Sequence, residues 1–196
     1  MVVPSHTPVL ADKVALRRLG RERRQAFVSA LSPEDRGRLE HQLARVLDPV
    51  LSKSRITGGY APMPTEISPL QALEAAATNG TMIAFPAFSD HQSEFRFLAG
   101  EPEETGPWAV LQPPLDAPHV YPDLVLVPLV AVDGKGTRLG QGKGHYDRVG
   151  PELRNHGALL IGVGWAVQMV DTEIPADPWD LPLDGFASPE GLEMFR

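Results

Sequence analysis

Hydrophobic and polar positions alternate along this chain between two periods, and the switches between them mark out its elements. From Asp12 to about Leu31 the pattern is helical and strongly basic, carrying Lys13, Arg17, Arg18, Arg21, Arg23 and Arg24. Ser32-Pro33-Glu34-Asp35 then reads as an N-cap, a proline at the first helical position and two acids suited to the helix dipole. Leu39, Leu43, Val46 and Leu47 follow at helical spacing, which predicts a second helix ending near Pro49. Arg55 to Ala61 is a short strand candidate, Met63 to Glu66 a turn, and Ser68-Pro69 the start of a helix that Asn79-Gly80 stops. Met82 to Phe85 reads as a buried strand, and Glu94 to Phe97 alternates as a half-buried one. Residues 100–122 are rich in proline and glycine. Asp123 to Val130 is the most apolar run and predicts a central strand, with a helix from about His145 to His156 and another buried strand at Leu159–Val163.

Strands alternating with helices predict an α/β fold, three-layered, with a mostly parallel sheet flanked by helices. The 196 residues are expected to form one domain, with residues 1–12 as a loose arm. The last 26 residues hold seven acids and four prolines, so little regular structure is expected there.

Composition narrows the function. With no cysteine, disulfide scaffolds, thiolate metal sites and cysteine nucleophiles are excluded together. No apolar run is long enough for a membrane span, and the N-terminus lacks the order of a secretory signal, so a cytoplasmic protein is expected. The net charge of −7 is unevenly divided. Residues 1–55 carry +5 from 11 basic and 6 acidic residues, and the remainder carries −12. A general nucleic-acid binder would be dominated by basic charge. This division suits a small anionic ligand held by a few cations, with carboxylates elsewhere for a divalent metal.

The chemistry concentrates between Asp133 and Arg148. Five of the 18 glycines lie in the eleven residues from Gly134 to Gly144. The segment follows the strongest strand and opens a helix, which is where ligands bind in open α/β sheets. Gly140, Gly142 and Gly144 at alternate positions allow close backbone approach and an anion-binding nest, and Arg138 and Lys143 add charge. No Ser or Thr follows Gly142-Lys143, so this is no P-loop; the final spacing also departs from the dinucleotide fingerprint.

Arg138-Leu-Gly-Gln-Gly-Lys-Gly-His-Tyr-Asp-Arg148 closely resembles the signature of the 5-formyltetrahydrofolate cyclo-ligase (5,10-methenyltetrahydrofolate synthetase) family. The likeness runs from about Lys13 to Asp184. It includes the basic first helix, Met63-Pro-Thr-Glu66-Ile, Ala84-Phe-Pro86, Trp108 with Gln112-Pro113, Pro122 to Pro128, and Ile161-Gly-Val-Gly with Gln168. The resemblance implies a fold like the sugar-phosphate isomerase and CoA-transferase architecture. It also implies ATP- and Mg2+-dependent closure of 5-formyltetrahydrofolate to 5,10-methenyltetrahydrofolate with release of ADP and phosphate. Partners would be these small molecules alone, with no nucleic acid, no membrane and a monomeric enzyme.

Carried over residue by residue, the likeness gives Lys13, Arg17, Arg138, Leu139, Gly140, Gln141, Gly142, Lys143, Gly144, His145 and Tyr146 as ATP-contacting positions. Lys143 and Arg138 are the candidate catalytic cations. Counting back from Ser32 without gaps selects Arg17 and Arg21 in place of Lys13 and Arg17, so Arg17 is common to both registers. Ala61, Glu66, Trp108, Gly142 and His145 match substrate contacts, with Phe88 or Phe97 as further lining. Asp147 and Asp180 match magnesium ligands, the second in a stretch without firm periodicity that also holds Asp177 and Asp184. A carboxylate at Glu66 suits the amino-pyrimidinone edge of a pterin, from which it can accept two hydrogen bonds. The sequence departs from the family at His145, where the first of two tyrosines is usual, and at Ala61, where a larger apolar residue is common. Two other readings remain: an ATP-independent isomerase or transferase on the same architecture, and a folate binder without turnover.

Overall fold

The computed structural model describes residues 8–195. Its helices are α1 (Pro8–Ser29), α2 (Pro33–Leu51), α3 (Leu70–Thr78) and α4 (His145–Asn155). Its strands are β1 (Ile56–Gly58), β2 (Met82–Ala87), β3 (Arg96–Ala99), β4 (Glu104–Thr105), β5 (Leu111–Gln112), β6 (Leu124–Pro128), β7 (Ala131–Asp133), β8 (Arg138–Leu139), β9 (Leu159–Val163), β10 (Met169–Val170), β11 (Gly185–Ser188) and β12 (Gly191–Met194). The apolar run after Asp123 is the middle strand of the main sheet, whose order is β12-β11-β9-β6-β1-β2-β3. Its five inner strands are parallel and only the edges β3 and β12 run the other way. This is the expected α/β sheet.

Side-chain alternation on β6 builds the layers. Leu124 and Leu126 join a core with Leu43, Leu47 and Leu51 of α2 and Leu73 of α3, while Val125 and Val127 join Val149 and Leu153 of α4 on the opposite face. All four β6 residues are buried, and each is worth about 1.5–3 kcal/mol relative to exposure. No polar position interrupts the run because both faces of a central parallel strand are covered.

Several boundaries differ from the expectations. Helix α1 starts at Pro8, so the loose arm expected through residue 12 is too long; residues 1–7 lie outside those described. Proline's fixed φ suits a first helical position. Ser32 caps α2 as expected, its Oγ accepting from Asp35 N at 3.0 Å, but α2 passes Pro49 and ends at Leu51. Burial of Leu51 in the core offsets the amide hydrogen bond that Pro49 cannot make. The C-terminal segment, expected to be irregular, supplies β11 and β12. Gly185-Phe-Ala-Ser188 has little strand pattern of its own; pairing with the exposed edge of β9 makes it one.

Asp123 ties the first strand to the central one. Burial works against its charge, but hydrogen bonds from Ser54 Oγ (2.5 Å) and the amides of Arg55 and Ile56 outweigh it and hold the carboxyl below the usual range. A depressed carboxyl pKa contributes stability above its unfolded value that is lost as pH falls through the folded one. Asp123→Asn should therefore lower stability by about 1–2 kcal/mol at neutral pH. In acid-denaturation curves, the gap from the native chain should close as pH falls past the native carboxyl's pKa.

Candidate functional site

The chain leaves β1 toward β2 on one side and returns through β6 to build the sheet on the other, so β1 and β6 are neighbours at a topological switch point. Ligands in open α/β sheets sit outside the carboxyl ends of the strands at such a point. A cavity of about 590 Å³ lies there, lined by the segment following β1 (Tyr60, Ala61, Met63, Glu66), by the end of β2 and the residue after it (Pro86, Phe88) and by the residue after β6 (Leu129). Helix α1, the loop 140–144, the start of α4 and residues 177–180 complete the wall.

The glycine-dense segment divides into two parts with different work. Gly134 and Gly136 belong to the β7–β8 hairpin, which buried Asp133 organises by accepting from the amides of Lys135 and Thr137. A Cβ at Gly136 would lie 2.6 Å from the Leu183 carbonyl, so that glycine serves packing. Of the segment's glycines, only Gly140, Gly142 and Gly144 face the cavity. Gly142 (φ 97°) and Gly144 (φ 66°) are left-handed, and Gly144 is the N-cap of α4 with no side-chain cap bond. Uncapped first-turn amides facing a cavity suit an anionic group.

Cations surround that end. Arg17 Nε donates to Gly140 O at 3.2 Å, fixing the loop against α1. Arg138 Nη2 meets Asp147 Oδ1 at 2.7 Å, while its buried Nε has no hydrogen-bond partner. Lys13, nearly buried, contacts Asp177 and Asp180 at 2.5 Å each; burial opposes its charge, but the two carboxylates raise its pKa. Arg21 reaches Gln141 O from outside the cavity lining, whereas Lys13 and Arg17 both line it. Lys143 is exposed and sits 4.6 Å above the Trp108 ring. His145 packs edge-on to Phe88, and Arg148 meets its Nδ1 at 2.9 Å. Burial and the charges of Arg148 and Lys143 lower the His145 pKa, which favours the neutral ring.

Glu66 lies on a clamped turn. Arg36 donates to the carbonyls of Pro64 and Glu66, Trp165 to that of Thr65, and Tyr60 to that of Ile67. Four successive carbonyls are thus held, and the carboxylate is oriented by Met63 N on Oε2 at 3.0 Å. Around it the walls are apolar: Met63, Phe88, Phe95, Val110 and Leu111.

The structure brings Lys13, Arg17, Ala61, Glu66, residues 138–147 and Asp180 to one cavity. Trp108 is placed at its rim through Lys143 and His145, and Phe97 lies behind Phe95 in the core while Phe88 lines the wall. Arg148 and Trp179, for which no role was expected, also line the cavity, as does Asp177 beside Asp180. Arg148 could have been found from its position one turn after Gly144; Asp177 and Trp179 carry no periodic signal. Asp147 and Asp180 are linked through Leu181, whose amide donates to Asp147 Oδ1, yet each is also paired with a cation. Among the described residues no group of three His, Cys, Asp or Glu forms a metal cluster, and no helix is long and apolar enough to cross a membrane. The carboxylates are oxygen donors of the type a hard divalent ion takes, and such an ion needs only one or two beside phosphate and water. The donor set fits magnesium, and the orphaned Arg138 Nε fits an added anion.

The chain is similar to known proteins over most of its length. The chain is 32% identical over 119 residues to a 5-formyltetrahydrofolate cyclo-ligase of Haemophilus influenzae, a match spanning 58% of this chain and 63% of that relative. It superposes on 5,10-methenyltetrahydrofolate synthetase of Aquifex aeolicus with a TM-score of 0.77 and 27% identity, covering 94% of this chain and 93% of the other. The synthetase of Mycoplasma pneumoniae gives a TM-score of 0.69 at 25% identity, over 91% and 99% of the two chains. The model of the 5-formyltetrahydrofolate cyclo-ligase family matches residues 9–189, almost the whole described chain and every element of the cavity, and the chain belongs to that family.

Proposed function

We propose that this chain closes 5-formyltetrahydrofolate to 5,10-methenyltetrahydrofolate at the expense of ATP. The observation that carries the reading is the polarity of a single cavity. Its lining gathers Lys13, Arg17, Arg138 and Lys143 with an uncapped helix start, and beside these it presents a buried carboxylate, Glu66, and a set of apolar residues. Triphosphate suits the first and a reduced pterin the second.

The chemistry asks for positioning and charge. A formamide carbonyl is a poor electrophile because its nitrogen donates into it. Transfer of the γ-phosphoryl group to the formyl oxygen breaks the β,γ bond and frees ADP. Nitrogen 10 then adds to the activated carbon and gives up its proton, and phosphate departs with the former formyl oxygen. Arg138 and Lys143 hold the transferring group, Lys13 and Arg17 the remaining phosphates, and Glu66 accepts from the pterin edge. Asp147 and Asp180 would hold Mg2+, which supplies charge neutralisation to the phosphate oxygens when bound. Ala61 leaves room beside the folate, and His145, neutral at the cavity wall, takes the place of a phenol. Trp108 closes the rim. On this reading the enzyme works as a monomer in the cytoplasm, one domain across 1–196.

Purified protein with 5-formyltetrahydrofolate, Mg2+ and ATP should develop the methenyl chromophore and ADP together; absence of both would end the proposal. Asp147→Asn should leave the melting temperature within a few degrees and raise the magnesium concentration needed for half-maximal rate by about tenfold or more. Normal cyclisation at limiting magnesium would remove Asp147 from the metal site.

A further inference from the structure

Arg24 lies on α1 two turns beyond Arg17, outside the cavity lining, with its side chain only 5% exposed. Its Nη1 stands 3.5 Å from Glu66 Oε1, and Glu66 is itself 8% exposed. The same Nη1 donates to Leu129 O at 3.2 Å, and its Nε is buried with no partner. Among the described residues this is the one cation within ion-pair distance of the Glu66 carboxylate.

Stability does not account for such a pair. Two buried charges with an unsatisfied Nε are no better for the fold than an apolar pair of the same volume, and often worse. We propose that Arg24 is the positioning residue of the folate end: it holds the Glu66 carboxylate as a hydrogen-bond acceptor in the cavity wall. A carboxylate buried without a counter-charge takes up a proton instead of staying charged. A carboxylic acid would present an O–H donor where the amino-pyrimidinone edge presents N–H groups, so the hydrogen-bond pattern would fail. The inference rests on the folate reading of Glu66.

Other groups around Glu66 do not replace Arg24. Arg36 of α2 bonds the Glu66 backbone carbonyl and is paired with Glu40. Gln141 reaches Oε1 only at 3.5 Å and is neutral. The phenols of Tyr60 and Tyr146 face the same region, but burial pushes both up, so they remain neutral across the physiological range. His145 has a lowered pKa and stays neutral above pH 7.

The test compares Arg24→Met, Arg24→Lys and Glu66→Gln for binding of 5-formyltetrahydrofolate alone and of ATP alone, by calorimetry between pH 7 and pH 9, with melting curves. Arg24→Met should lose about tenfold or more in folate affinity at pH 7 while ATP affinity changes by about twofold or less. The lost affinity should return as pH rises, because the carboxyl left without its partner then ionises. Arg24→Lys should restore most of the binding, and Arg24→Met should add nothing further in the Glu66→Gln background. A loss independent of pH, or an equal loss for both ligands, would make Arg24 a plain structural residue and overturn the inference. If Arg24→Met does not fold, Arg24→Lys and Arg24→Gln carry the same comparison. Unchanged folate affinity in Glu66→Gln would instead sink the assignment of Glu66 to the folate, a separate failure.

Discussion

Arg138→Met is expected to lower turnover by about 10²–10³-fold, the largest effect of any single change in this site. Arg138 is the one cation of the triphosphate end that is built into a strand, β8, and its side chain is 6% exposed. A guanidinium held in place by the sheet needs no rearrangement when charge moves from the β,γ bridge to the formyl oxygen. Nucleotide affinity should fall as well, though less than turnover. Arg138→Lys keeps the charge and loses the planar fork, so it should recover only part of the rate. The fold should lose about 1–3 kcal/mol, because Asp147 keeps the Leu181 amide but loses its charged partner. Rapid-quench measurement of ADP formation separates the effect on phosphoryl transfer from the effect on binding. An unaltered burst of ADP in Arg138→Met would place the residue outside the reacting centre.

Lys143→Ala and Gly142→Ala should both damage the nucleotide site, for unlike reasons. Lys143 rests on the exposed face of Trp108, free to follow the γ-phosphoryl group; its loss should cost about 10–100-fold in turnover, with stability within about a kcal/mol of the native chain. Gly142 contributes backbone alone. With φ at 97° an alanine there is strained by about 1–2 kcal/mol, although the nearest atom to its Cβ, Arg17 Nε, would be an ordinary 3.7 Å away. The strain is relieved by moving the loop, so ATP affinity should fall with no change of charge. Calorimetric titration of ATP into both variants, beside their melting curves, decides between the two contributions. Native affinity in both would mean that the loop does not cradle phosphate.

Arg24 and Arg138 show what burial adds to a sequence motif. The eleven-residue glycine block announced Arg138, because a cation beside alternating glycines already suggests phosphate. Arg24 was one of six basic residues on a helix, and nothing in the spacing separated it from Arg18 or Arg23. Burial separates them: Arg24 is 4% exposed, whereas the Arg18 side chain is 66% exposed and pairs with Glu22 on the surface. Trp179 was invisible for a related reason, and nothing local separated Asp177 from Asp180. They lie in an acidic, proline-rich stretch with no period, which reaches the site through distant contacts: Lys13 pairs with Asp177 and Asp180, and the Leu181 amide donates to Asp147.

By itself the sequence determined the α/β class, a central strand within Asp123–Val130, the Ser32 cap, the start of α4 and the family to which the glycine block belongs. These are local signals: a run buried on both faces, a cap, and a spacing of glycines each act over a few residues. The tertiary structure decided which part of the glycine segment turns a hairpin and which faces the cavity, since that depends on Asp133, Leu183 and Arg17 arriving from distant elements. It also decided that the acidic tail forms two strands, and that Glu66 is backed by Arg24. Such pairings span tens of residues to more than a hundred, and no periodicity in the chain records them, because only packing sets which buried charge meets which.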